Sequence, residues 1–224
     1  MSLLTIWAPG CINPVSLYHS QPEPKKRPSS QATLSGAGDL PQVFPLSLDI
    51  IEVHGQEAWA SALHEVEAAG ICGLDLETTG LDPLSCRARL AQLSLPSGRV
   101  YVADLWELEA PLQDLGQLSE RSDIKKVGHN LKFDLAFIQA SQDRRLKMAG
   151  LFDTMLASQV CWAGYYDLQK ASKAIKNLWK QKLPEQTLQA LTERHLGFSL
   201  SKELQASNWG AGTLSPEQKA YAAR

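Results

Sequence analysis

Ile71-Cys72-Gly73-Leu74-Asp75-Leu76-Glu77-Thr78-Thr79-Gly80-Leu81 is the stretch on which the fold turns. Its first seven residues read as a strand. Side chains alternate faces along a strand, so Cys72, Leu74 and Leu76 point into a core while Asp75 and Glu77 point together to the other side. Two adjacent carboxylates repel each other, and a fold tolerates them where a cation neutralises them or water reaches them freely. They close a hydrophobic strand and precede a Thr-Thr-Gly turn, which is where α/β sheets open their ligand crevices. Taken alone, a bare Asp-x-Glu is better read as a solvated strand end.

Outward from this strand the pattern is regular. Arg89–Leu95 and Arg99–Asp104 are two further short runs rich in Leu, Val and Ile, separated by Gly, Pro and Ser. Upstream, Leu48–Val53 reads as a strand and Glu57–Ala69 as an amphipathic helix, with Trp59, Leu63 and Val66 on one face and Gly70 as its stop. Downstream, a helix near Leu112–Leu118 leads to a short strand at Lys126-Val127-Gly128. The remainder is mostly helical: Leu131–Ala140, Asp153–Trp162, Leu168–Lys180, Glu185–His195 and Ser215 to the end. Strands first, then strands crossed by helices, then helices predict an α/β fold: a mixed sheet flanked by helices, with a mostly helical C-terminal half.

The second informative segment is Val127-Gly128-His129-Asn130-Leu131-Lys132-Phe133-Asp134-Leu135-Ala136-Phe137-Ile138. Asn130 suits the cap of the helix that follows. Leu131, Leu135 and Ile138 lie at helical spacing and predict packing on the sheet. Asp134 falls one turn in, where the helix dipole favours an anion; on its own it reads as well as a favourable first-turn Asp as it does as a ligand.

Composition narrows the function classes. The 224 residues carry a formal net charge of −2, with 44% hydrophobic and 21% charged residues. That balance argues against a protein that coats nucleic acid by bulk electrostatics, so any such partner meets a local groove. Cys11, Cys72, Cys86 and Cys161 are scattered without a Cys-x-x-Cys pair, which predicts thiols rather than disulfides or a zinc site. Pro9, Pro14, Pro22, Pro24, Pro28, Pro41 and Pro45 are seven of the 12 prolines, and residues 1–45 read as a disordered Pro/Ser-rich tail, leaving 46–224 as one domain. The Lys25-Lys26-Arg27 cluster in that tail reads as solubilising. Leu3–Trp7 is too short for a signal-peptide core, and no apolar run approaches the roughly 18 residues of a membrane span. A cytoplasmic protein without a membrane partner is expected.

Asp75-x-Glu77 closing a strand and Gly128-His129-Asn130-x-x-x-Asp134 opening a helix together resemble the first two motifs of the DEDD 3′→5′ exonuclease superfamily. That superfamily is ribonuclease H-like in fold and includes the proofreading domains of family A DNA polymerases, ribonuclease D and the Werner-type exonucleases. Phe152-Asp153-Thr154-Met155-Leu156-Ala157-Ser158 resembles the helix after the second motif, and Leu200–Trp209 the ribonuclease D-like approach to the third. Leu214–Arg224 is similar to the start of the Tyr-x-x-x-Asp helix of the tyrosine branch, with Pro216 at the helix start after a capping Ser215. Four residues after Tyr221 is the position following Arg224, so the fourth carboxylate of the pattern falls just past this sequence.

The resemblance implies a hydrolase that takes nucleoside 5′-monophosphates from the 3′ end of single-stranded DNA or RNA, using two divalent cations, Mg²⁺ or Mn²⁺, held by oxygen ligands. Asp75 would bridge both cations, Glu77 and the fourth carboxylate would hold the one that activates water, and Asp134 the one beside the leaving 3′ oxygen. Tyr221 would orient the attacking water. Thr78 would contact the terminal nucleotide, Leu81 would wedge against its base, and Asn130 and Phe133 would shape the terminal pocket. Tyr221 as a core aromatic, and Leu81 and Phe133 as ordinary packing residues, are the plain alternatives. Lys170, Lys173, Lys176 and Lys180 form a stripe that reads better as a solvated face than as a phosphate track.

A polymerase region in a full-length form is a possible companion, and a catalytically impaired nucleic-acid-binding remnant is the alternative function. An unrelated nucleotide-binding module is disfavoured, since neither Gly-x-Gly-x-x-Gly nor a Walker loop is present. With the fourth carboxylate absent, the 224 residues alone are expected to bind Mn²⁺ weakly and to show reduced or no nuclease activity. Adding an Asp-containing helical extension is expected to restore it, and equal activity of both forms on a labelled single strand would refute this.

Overall fold

A computed structural model describes residues 48–163, 185–197, 199–200 and 207–222. The tail assigned to residues 1–45 and the Lys170–Lys180 stripe lie outside the described residues. Six strands, β1 (Asp49–Val53), β2 (Ile71–Thr78), β3 (Ala88–Ser94), β4 (Arg99–Asp104), β5 (Lys125–Gly128) and β6 (Leu151–Asp153), form one sheet in the order β1-β4-β3-β2-β5-β6. β2, β3 and β4 run as an antiparallel meander, while β1 joins β4, β5 joins β2 and β6 joins β5 in parallel. The predicted α/β class and mixed sheet are what the chain adopts. β6 was not foreseen. Leu151-Phe152-Asp153 is too short to show a period-2 pattern and is recruited by pairing with Lys126–Gly128.

Helices α1 (Gly55–Ala69), α2 (Pro111–Glu120) and α3 (Leu131–Ala140) supply Trp59, Ala62, Val66, Leu115, Leu118, Leu131, Leu135 and Ile138 to a core that meets Cys72, Leu74 and Leu76 of β2. The alternation read from the sequence therefore sorts β2 correctly. Gly70 ends α1 in a left-handed conformation, φ 65°, returning its N–H to Val66 and Glu67 carbonyls. Helix α4 (Thr154–Ala163) follows β6, and α5 (Leu188–Leu196) precedes the final helix, α6 (Pro216–Ala222).

The opposite face is also covered. Trp209, Leu214, Tyr221 and Ala222 pack on Leu90, Val100 and Val102, a second apolar cluster. This explains why all seven residues of β3 are buried although only alternate ones face the larger core.

One irregularity in this sheet shapes the site. The β2–β3 register passes from Glu77 opposite Leu90 to Thr78 opposite Ala88, leaving Arg89 as the extra residue of a bulge. Arg89 is 3% exposed. It pairs with Asp104 at 2.8 Å, donates to the carbonyls of Ala211 at 2.9 Å and Gly212 at 3.3 Å, and lies 4.2 Å over the Trp106 ring. A single guanidinium thus fastens the loop that leads into α6.

Candidate active site

The end of β2 carries Asp75 and Glu77 onto the face under the 209–222 segment. Glu77 is 8% exposed and Asp75 half-buried. Asp134, on α3, is 2% exposed, and its Oδ1 accepts a hydrogen bond of 3.0 Å from the backbone N–H of Leu76, between the two β2 acids. The favourable first-turn reading therefore yields to a tertiary one, because this carboxylate is pinned to the strand rather than left to the dipole.

What aims α3 at the strand differs from the sequence expectation. Asn130 adopts a left-handed conformation, φ 62°, and its side chain makes no cap hydrogen bond. The cap comes from Asp153, whose carboxylate accepts from the N–H groups of Asn130 (3.1 Å) and Leu131 (2.9 Å), and also from Met155 (2.9 Å) and Leu156 (3.3 Å). One acid at the end of β6 caps two helices, an arrangement worth about 1 kcal/mol per cap. Asn is among the few residues that enter the left-handed region readily, which accounts for its presence here. Gly128 before it is required sterically, since a Cβ there would stand 2.0 Å from the Leu131 side chain.

These pieces surround a cleft of about 700 Å³, the scale of a small-ligand site. Asp75, Glu77, Thr78, Leu81, Asn130, Phe133 and Asp134 all line it. Leu81 is 84% exposed, so the packing alternative fails for that residue. Phe133 serves both purposes: it lines the cleft while its ring sits 5.1 Å from that of Phe137. The Thr78 hydroxyl donates to Gly80 O at 2.7 Å, so its proton shapes the turn.

His129 and Trp209 also line the cleft, a role that their residue type and spacing do not signal. Thr154 Oγ1 donates to Gly128 O at 3.1 Å, which leaves its lone pair to accept from His129 Nδ1 at 3.0 Å and fixes the proton on that nitrogen.

Tyr221 does not line the cleft. It is buried in the cluster with Trp209, on α6, whose start is closed by a reciprocal pair: Gln218 N donates to Ser215 Oγ, and Ser215 N donates to Gln218 Oε1. Burial pushes its phenol up to about 12, and the charges of Glu77 and Asp75 add to the rise, which places the ring near both acids. Among the described residues its Oη has no hydrogen-bond partner.

The three carboxylates behave as a crowded group. Desolvation raises Asp75 to about 7, with Glu77 adding repulsion. Burial raises Glu77, and burial followed by the charge of Asp75 raises Asp134 well above the usual range. Among the described residues, no three Asp, Glu, His or Cys side chains close around a point as a ready-made metal cage. The acids share one cleft, where each raises the proton affinity of its neighbours as like charges do. An all-oxygen set of this kind fits Mg²⁺ or Mn²⁺.

A pH dependence follows. Because the folded value for Asp75 lies above an unfolded value of about 4, its contribution to stability is fully present below pH 4 and disappears as pH rises through 7. The melting temperature of the metal-free protein is therefore expected to rise when pH is lowered from 7.5 to 5.5. Mn²⁺ is expected to raise it more at the higher pH, because cation and proton compete for the same oxygens. Calorimetry at the two pH values with and without Mn²⁺ checks both signs.

Known proteins resemble this chain in sequence and in fold. A sequence model of the 3′→5′ exonuclease domain of the DNA polymerase A type matches residues 50–224. DNA polymerase I of Aquifex aeolicus (strain VF5) is 32% identical over 176 residues, covering 79% of this chain and 25% of that protein. The chain thus spans about a quarter of the length of that curated relative. Among solved structures, Brucella melitensis NrnC bound to pGG is 25% identical with a TM-score of 0.56, covering 79% of this chain and 74% of that one. Escherichia coli RNase D, an exoribonuclease, shares the fold at 19% identity and a TM-score of 0.59, over 79% of this chain and 41% of that one. By sequence and by fold, the chain belongs to the 3′→5′ exonuclease family.

Proposed function

We propose that the cleft hydrolyses the terminal phosphodiester at the 3′ end of a single strand and releases a nucleoside 5′-monophosphate, in the manner of the tyrosine branch of the DEDD exonucleases. The observation that carries this reading is the meeting of Asp75, Glu77 and Asp134, from a strand end and a facing helix, in one cleft with the buried phenol of Tyr221 close by. Asp75, Glu77 and Asp134 are the residues that would hold two divalent cations, which supply charge neutralisation and a water made acidic enough to attack. The raised proton affinities support this role, since acids that burial and one another's charge make bind protons tightly give them up to a cation.

The hydroxyl of Tyr221 orients the attacking water. The water oxygen bonds to phosphorus, the bond from phosphorus to the 3′ oxygen of the penultimate nucleotide breaks, and that oxygen takes a proton. Leu81 and Phe133 stack on or wedge against the terminal base, while Asn130 and Thr78 border the terminal nucleotide. Such contacts hold any base without reading sequence. The identity with a segment of DNA polymerase I supports single-stranded DNA as the first substrate to test, and a polymerase region in a longer protein as its companion.

The test is release of mononucleotides from a 3′-labelled oligonucleotide with Mn²⁺ and with EDTA, using the chain and a form extended by an Asp one turn past Tyr221. Cation-dependent 3′→5′ shortening supports the reading. Its absence in both forms would leave the cleft as a binding remnant. Tyr221→Phe sharpens the test. It is expected to lower the rate on the order of 10²-fold, as loss of a positioned proton-handling group does. Stability should be unchanged or higher, because the deleted hydroxyl has no partner among the described residues. A thermal melt beside the rate separates this from a merely structural phenol.

A further inference from the structure

Gln92 sits in the middle of β3, directly opposite Asp75 of β2 on one side and Val102 of β4 on the other. Residues opposite each other in an antiparallel ladder share a face, so the Gln92 amide points to the side that carries the acids. It is 1% exposed, and neither its Oε1 nor its Nε2 has a hydrogen-bond partner among the described residues. Its neighbours Leu90 and Val102 both lie in the cluster beneath Trp209 and Tyr221, whose Nε1 and Oη are likewise buried and without partners there. A buried primary amide whose two polar atoms find no partner among the described residues is a cost that folded proteins rarely carry without use.

We propose that Gln92 is a positioning residue for Asp75, its side-chain Nε2 donating to the Asp75 carboxylate in the cation-bound state and holding that carboxylate in the orientation that binds the ion. The cross-strand pairing gives the amide its reach, and burial under the 209–222 segment keeps water from replacing it. Carboxylates that ligate cations are themselves held by hydrogen bonds, and losing such a support weakens metal affinity without removing a ligand. This rests on the cation-binding reading of the cleft and adds to it a residue that touches neither cation nor substrate.

Gln92→Met, equal in length and apolar, is the test, with Gln92→Leu as a second variant should the first fold poorly. Mn²⁺ binding by the 224-residue chain is followed by electron paramagnetic resonance and by calorimetry, alongside a thermal melt in EDTA. Mn²⁺ affinity is expected to fall by about 10- to 100-fold, while the metal-free melting temperature stays level or rises because two unsatisfied atoms have been removed. Unchanged Mn²⁺ affinity in either folded variant overturns the proposal and makes Gln92 a residue of the fold alone. No Mn²⁺ binding by the unsubstituted chain overturns both this proposal and the cation-binding reading, so the two failures are told apart.

Discussion

Asp75→Asn is expected to abolish measurable Mn²⁺ binding and to cut mononucleotide release by about 10³-fold or more, the scale of several kcal/mol of lost transition-state charge stabilisation. The substitution changes one atom's identity and no volume, so the cleft keeps its shape. What it removes is the negative charge of one of the three acids that would hold the cations. Asp75 is also the group whose ionisation the cleft resists, being raised to about 7 by desolvation and by Glu77. A neutral amide at this position relieves that strain, and the metal-free variant is expected to melt at or above the temperature of the parent near pH 7.5. Activity is read in the Asp-extended form and binding in the chain itself. A variant that melts normally and still binds Mn²⁺ or shortens a single strand at near-parental rates removes Asp75 from the mechanism.

How much of this was legible in the sequence depends on how far apart the interacting residues lie. Periodicity within one element was reliable. Cys72, Leu74 and Leu76 alternate with Asp75 and Glu77 as read, because a strand imposes that alternation whatever surrounds it. The same holds for Leu131, Leu135 and Ile138 on α3, all buried. What the residues themselves did not reveal was which distant partner holds each side chain in place, although the set of residues named for the cleft does line it. Asn130 was read as a cap because its type and position fit. The cap comes from Asp153, 22 residues from Leu131, and nothing local to Asn130 signals that. Asp134 was weighed against a helix dipole, whereas its decisive contact is an N–H of β2, 58 residues away. Arg89 gave no sign that it would be buried, since a charged residue at a strand start ordinarily faces water. Only the bulge turns it inward, and the bulge is a property of the β2–β3 register rather than of either strand. The site was legible as a set of residue types in order. Its supports were not, because they are pairings across the fold.

Those supports carry the second large effect. Asp104→Ala is expected to destabilise the protein by about 3–5 kcal/mol, the cost of leaving one member of a buried ion pair without its partner. That is a large part of a typical total of about 5–15 kcal/mol. Arg89 and Asp104 are 3% and 6% exposed and 2.8 Å apart, so the stranded guanidinium has no access to water. Asp104 also accepts from the N–H of Trp106 at 3.1 Å, and its loss frees the turn on which the Arg89 cation rests. Because Arg89 reaches the carbonyls of Ala211 and Gly212, the disturbance extends to the segment bearing Trp209 and Tyr221. Urea unfolding measures the total, and a change in the tryptophan fluorescence of the native baseline, absent in a Trp106→Phe background, would come from Trp106 beside the pair. Arg121 and Asp123 form the contrasting case. Their pair spans 2.6 Å but both are exposed, so Asp123→Ala is expected to leave the urea midpoint nearly unmoved. Equal effects of the two substitutions would mean that the bulged arginine adds little and that α6 is held by its apolar packing and the Lys219–Glu52 pair.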